Sequence, residues 1–316
     1  MTLPDLAPEA GLLARLKASL AGRVAIKLVQ WGIPLLLLAI IGRKLSQLGW
    51  SDIWAARPAN PGFYLLLVAQ FFLQPFGDYL VYRNLWRESR PPLAVILRKR
   101  LMNTFMLDYS GEAFFFFWAQ RHLKLERGLL IHAIKDSNIL SGAASLVMVY
   151  ILLVLLMGFG GLHVPGKLTG DLGGHTWLFV GAGTVPLILA AAIVLGHRKL
   201  TVFSRRQMAV IFGIHFTRVM AVLAVEFGLW ELSGALPSAI ACLQFVALRL
   251  VVTRLPLIPN KDLLFVGAGI ATAGLAKMAV TPVATVLVIL AAADLILAAS
   301  VASITWLLAR KEWDGQ

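Results

Sequence analysis

The run from Leu129 to Gly158 holds thirty residues with only two formal charges, Lys135 and Asp136, both near its start. As a helix it measures about 45 Å, longer than the roughly 30 Å hydrocarbon core of a bilayer. Few soluble folds bury such a segment on every side. Five further runs of this character are read at 24–41, 61–81, 177–195, 208–229 and 280–307, and none shows the period-two alternation of a barrel strand. The predicted class is therefore all-α integral membrane, with about six transmembrane helices.

Composition agrees and closes off other classes. Hydrophobic residues make up 59% of the 316 and charged residues 14%, and the mean hydropathy is +0.80, which excludes an ordinary soluble domain. Cys242 is the single cysteine, so neither a disulfide within one chain nor a CxxC metal or redox site is available. No HxxxH, HExxH, GxSxG or phosphate-loop pattern occurs, so no metal and no cofactor is predicted. The net charge of +13 is explained by cations in cytoplasmic loops under the positive-inside rule, and nucleic acid is not an expected partner. Charge thus sets orientation, with both termini on the cytoplasmic side of the inner membrane.

Two apolar segments are interrupted rather than continuous. Between Arg98 and Arg121 the pieces Leu101 to Leu107 and Ala113 to Ala119 are each too short to cross, and the polar break Asp108-Tyr109-Ser110-Gly111-Glu112 separates them. Ser110 is the expected N-cap and Glu112 the first-turn acid. A second break, Pro256 to Asp262, stands 150 residues later, and that shift aligns Lys99 with Arg249, Asn103 with Thr253, Ser110 with Asn260 and Glu112 with Asp262. Broken hydrophobic segments at matching places in two halves point to a transporter-type site at a repeat interface. Two short loops that align by chance are the competing account.

The predicted organisation follows. Residues 1–22 form a cytoplasmic amphipathic segment, and 23–159 a first membrane repeat of two spans, a re-entrant hairpin at about 93–121 and one span. Residues 160–176 form an outer loop, and 177–311 a second repeat with its hairpin at about 237–278. Three spans per half is an odd number, so the second half is inverted and the hairpins oppose each other.

With Asn103 followed by Ser110-Gly111-Glu112, and with Leu255-Pro256-Leu257-Ile258-Pro259 opening the second break, residues 20 to 310 resemble the flippase-like transmembrane family that includes the membrane domain of lysylphosphatidylglycerol synthases. The chain departs from that family in having Asn260-Lys261-Asp262 and Val266 in place of a Gly-Gly pair and a later acid, and Phe115 in place of an Arg. No soluble aminoacyl-transferase domain like that of the synthases is expected within these 316 residues. The resemblance implies six or so spans, two opposed broken helices and the movement of lipids between leaflets.

The candidate site residues divide by charge. Arg249, Arg254 and Arg218, with Asn103 and Thr253, are expected to hold an anionic headgroup, while Lys99 is read as part of the cytoplasmic basic collar. Glu112, Asp262, Asp294, Asp136 and Asp78 are expected to serve coupling or gating, since an unpaired charge in the bilayer core costs a few kcal/mol. Two readings stay open for each: Glu112 and Asp262 equally suit first-turn helix stabilisation, and Arg218 with Asp294 equally suits an internal salt bridge. Gln70, Gln74 and Asp78 recur every four residues and are predicted to face protein or water. The expected function is translocation of an amphipathic, anionic-headgroup lipid, with lipid-biosynthesis enzymes as candidate protein partners. A lipid-modifying enzyme or its accessory subunit, and a scaffold that transports nothing, are the alternatives.

Overall fold

The computed structural model describes residues 39, 43, 50–86, 89–105, 109–123, 125–159, 203–254 and 261–314. The segment at 1–22, nearly all of the span at 24–41, the outer loop at 160–176, the span at 177–195 and the break at 256–260 lie outside them. Among the described residues all regular structure is helical. In chain order the helices are α1 Trp50–Ala55, α2 Pro61–Leu85, α3 Leu93–Phe105, α4 Ser110–His122, α5 Arg127–Gly158, α6 Arg205–Ser233, α7 Ala239–Arg254, α8 Lys261–Leu275 and α9 Val280–Asp314. Four of them, α2, α5, α6 and α9, are long and apolar enough to cross a membrane. Their outer faces are apolar too, with Leu65, Phe76, Met157 and Ile296 each more than half exposed. Exposed apolar surface on that scale is what a lipid-facing protein carries.

Local chemistry sets the helix ends. Pro61 takes the first position of α2, where its missing N–H costs nothing, and the Asn60 side chain accepts from the Gly62 N–H at 2.8 Å. At the start of α6, Ser204 and Gln207 form a reciprocal capping box. The α3–α4 break departs from expectation. Ser110 is the first helical residue and not the N-cap: Tyr109 holds that place with φ 70°, and the Ser110 hydroxyl donates to the Met102 carbonyl at 2.7 Å. Capping comes from across the break, because the Asn103 side-chain oxygen accepts from the Gly111 N–H at 2.6 Å.

The central pair is α2 with α6. Close approaches run Gly62 to Leu232, Leu66 to Gly228 and Gly77 to Arg218, and Arg218 pairs with Asp78. One index falls as the other rises, so the two helices are antiparallel along their whole length. Two apolar clusters occupy the opposite ends of this pair. One joins Tyr82 of α2 and Ile211 of α6 to Ile96 of α3, Phe115 of α4 and Leu130 of α5. The other joins Phe63 of α2 and Trp230 of α6 to Phe245 of α7, Phe265 of α8 and Leu287 of α9. Each pair of half-length helices thus packs at a different end of the α2–α6 axis.

Two glycines permit the tightest crossings. A Cβ at Gly77 falls 2.4 Å from Cδ of Arg218, and one at Gly111 falls 2.0 Å from the Lys99 carbonyl oxygen. Gly77→Ala and Gly111→Ala are expected to destabilise by about 1–3 kcal/mol through overpacking. Gly213, with open space around it, is the control, since Gly213→Ala gains up to about 1 kcal/mol of helix propensity. Thermal unfolding in detergent checks this, and equal effects at all three positions would contradict the packing described.

Candidate functional site

Between the two apolar clusters lies a cavity of about 370 Å³, walled by α2, α3, α5, α6, α7 and α9 and reached by Tyr109 and Glu112 at the start of α4. The polar stripe Gln70, Gln74 and Asp78 of α2 faces it, as its four-residue spacing predicts. Buried and partly buried charges line this space, and they are held in ion pairs.

Asp78 is the hub of the first group. It accepts from Lys99 of α3 at 2.6 Å on one oxygen and from Arg218 of α6 at 2.6 Å on the other. Lys99 also lies 3.3 Å from Glu112, and Arg218 donates to the Ser141 hydroxyl of α5 at 2.8 Å. Glu112 is held in turn by the Asn103 side-chain amide at 2.9 Å. Three helices and the opening of a fourth are thereby tied to one carboxylate.

The second group repeats the first with different residues. Arg249 of α7 lies 3.1 Å from Glu226 of α6 and 3.6 Å from Asp262 in the first turn of α8, with its guanidinium 5.3 Å from the Phe265 ring. In both groups a cation on the first half-length helix bridges a carboxylate of the preceding long helix and the first-turn carboxylate of the second half-length helix. The central helices also exchange donors, since Gln70 of α2 donates to Glu226 while Arg218 of α6 donates to Asp78. Gln70 and Asp78 precede Arg218 and Glu226 by the same 148 residues. Asp294 of α9 completes the site by accepting from Arg100 at 2.8 Å, and Arg100 stacks over Phe71 at 4.3 Å.

The sequence-predicted residues fare differently. Arg218, Arg249, Thr253, Asp78, Glu112 and Asp294 all line the cavity. Asn103 does not: both ends of its amide are used in closing the α3–α4 break. Thr253 spends its hydroxyl hydrogen on the Leu250 carbonyl. Asp262 stands at the margin, 42% exposed. Asp136 is fully buried beside Lys135 and away from the cavity wall. The Arg254 side chain lies outside the described residues. An Arg218 to Asp294 bridge does not form, because each takes another partner.

Lys99 reverses the expectation of a basic collar, and Arg100 beside it lines the cavity as well. Three successive cations on a helix fan out at 100° per residue, so they cannot share one face. Arg98 donates to the Thr305 carbonyl, Lys99 to Asp78 and Arg100 to Asp294. That fan is the signal by which sequence alone points inward here.

The Ser137 hydroxyl and His215 Nε2 lie 3.1 Å apart, both buried, yet Ser137 does not line the cavity. Among the described residues no group of three His, Cys, Asp or Glu side chains is placed to hold a metal. No known protein family, curated protein or solved structure matches the chain.

Removing one partner of a buried ion pair costs about 3–5 kcal/mol, because the other charge is left uncompensated. Asp78→Ala is expected to destabilise on that scale. Adding Arg218→Ala should recover part of the loss, whereas adding Glu226→Ala should not. Unfolding in detergent of the single and double variants measures this coupling, and additivity of Asp78→Ala with Arg218→Ala would rule out the shared pair.

Proposed function

We propose that this protein translocates an amphipathic lipid with a phosphate-bearing headgroup between the leaflets of the inner membrane, as a member of the flippase-like family that the sequence resembles. In this reading the chain has six spans and two opposed re-entrant hairpins in an inverted repeat, with both termini cytoplasmic. The observation that carries it is the paired arrangement around the cavity: Lys99 joins Asp78 to Glu112, and Arg249 joins Glu226 to Asp262, at two levels along one antiparallel helix pair. Two equivalent ion-pair latches flanking one polar chamber are the parts an alternating-access device needs.

The physics of the crossing supports the same reading. Each polar group of a headgroup that enters hydrocarbon unsatisfied costs several kcal/mol. A chamber lined by Gln70, Gln74, Ser141 and paired charges supplies partners instead of hydrocarbon. Opening the Asp78–Lys99 link frees the α3–α4 pair at one end, and opening the Glu226–Arg249 link frees the α7–α8 pair at the other. Because each open link gives up part of the compensation of a largely buried charge, opening both at once is disfavoured, and a through-pore is avoided. The headgroup crosses inside while its acyl chains stay in lipid.

The test is dithionite quenching of an acyl-chain-labelled phospholipid in proteoliposomes, with and without an imposed pH gradient. Wild-type protein should expose inner-leaflet label that protein-free vesicles protect, and Arg249→Ala should return the rate to that of the empty vesicles while remaining folded. Folded wild-type protein that moves no labelled lipid would refute translocation.

A further inference from the structure

By sequence, Arg218 and Arg249 are expected to await an anion. Among the described residues, Lys99, Arg100, Arg218 and Arg249 all line it, and every one already lies within ion-pair distance of a carboxylate. Those four cations meet five carboxylates: Asp78, Glu112, Glu226, Asp262 and Asp294. An anionic headgroup entering this network takes a cation away from its carboxylate and leaves that carboxylate buried without compensation. A headgroup carrying both a phosphate and an ammonium replaces both members of the pair that it opens. The number of satisfied charges is then unchanged.

The pairs are not equally easy to open. Asp78 is shared by two cations, and Lys99 and Arg249 each serve two carboxylates. Among the described residues, Arg100 and Asp294 have only each other at ion-pair distance. Both line the cavity, and Nε of Arg100 is buried with no acceptor among the described residues. The Phe71 ring beneath the guanidinium, 4.3 Å away, keeps its plane oriented for a planar fork of donors. A phosphate at Arg100 supplies the acceptor that Nε lacks, and an ammonium at Asp294 takes the place that Arg100 leaves.

We propose that the Arg100–Asp294 pair is the exchange site for a zwitterionic headgroup of the phosphate-plus-primary-ammonium class, an inference that rests on the translocation reading above. The probes are phosphatidylethanolamine and phosphatidylglycerol with the same fluorescent acyl chain, compared in the dithionite assay. Wild-type protein is expected to move the ethanolamine lipid about tenfold faster, the scale of one charge-assisted hydrogen bond. Asp294→Asn should slow the ethanolamine lipid and speed the glycerol lipid, because it removes the ammonium's partner and frees Arg100 for an anion. A merely structural defect would slow both alike.

Faster or equal movement of phosphatidylglycerol by wild-type protein overturns the inference and leaves translocation standing. That comparison holds even if the variant does not fold. An unchanged ratio in folded Asp294→Asn removes the assignment to this pair. Movement of neither lipid by folded wild-type protein overturns translocation itself, and the inference with it.

Discussion

Asp78 is the residue on which the arrangement depends. One carboxylate compensates Lys99 and Arg218 at 2.6 Å each, and those side chains come from different helices. A buried charge tolerates no alternative position, because moving it leaves its partners uncompensated at several kcal/mol. Apolar packing between long helices admits sliding by a turn; a shared ion pair does not. The register of α2 against α6 and the seating of α3 therefore follow from this contact, and Gly77 lets the Arg218 stem cross close enough to make it.

The counterpart at Glu226 carries less. Arg249 and Gln70 reach it, but Gln70 is neutral where Arg218 is charged. Asp262 is also more exposed than Glu112, at 42% against 15%. Equivalent construction with unequal strength makes the two ends of the molecule inequivalent. In the proposed cycle, the end held by Asp78 is the harder to open and the one held by Glu226 the easier. The Arg100–Asp294 pair stands apart, since the 150-residue shift brings neither residue onto a charge: position 250 is a leucine and position 144 an alanine.

The two apolar clusters explain why such a charged layer persists. Tyr82, Trp86 and Phe115 stack at one end, while Trp230 and Phe245 pack at the other. Both ends of the α2–α6 pair are thus filled with aromatic side chains, and the polar residues in between sit in surroundings of low polarity. There a hydrogen-bonded ion pair is electrostatically stronger than in water, and an unmade one costs more. Between them the packed ends and the paired middle specify a single arrangement.

Much of this was legible in the chain itself. Long apolar runs and the absence of alternation determined a helical protein with spans long enough for a bilayer, because a 1.5 Å rise per residue converts run length directly into distance. The four-residue spacing of Gln70, Gln74 and Asp78 determined one polar face, and the offset of 150 residues aligned Lys99 with Arg249 and Glu112 with Asp262. What periodicity could not supply was partnership. Whether Arg218 meets Asp294 or Asp78, or whether Asn103 serves a ligand or closes its own break, depends on the register and crossing of helices far apart in the chain, or on the path of a tight turn. Lys99 and Arg100 illustrate the limit: by sequence they extend a basic run, and only α2 and α9, folded back beside them, turn them into the walls of an ion-paired cavity. Sequence set which side chains carry charge and on which helical face; tertiary packing alone decided who neutralises whom.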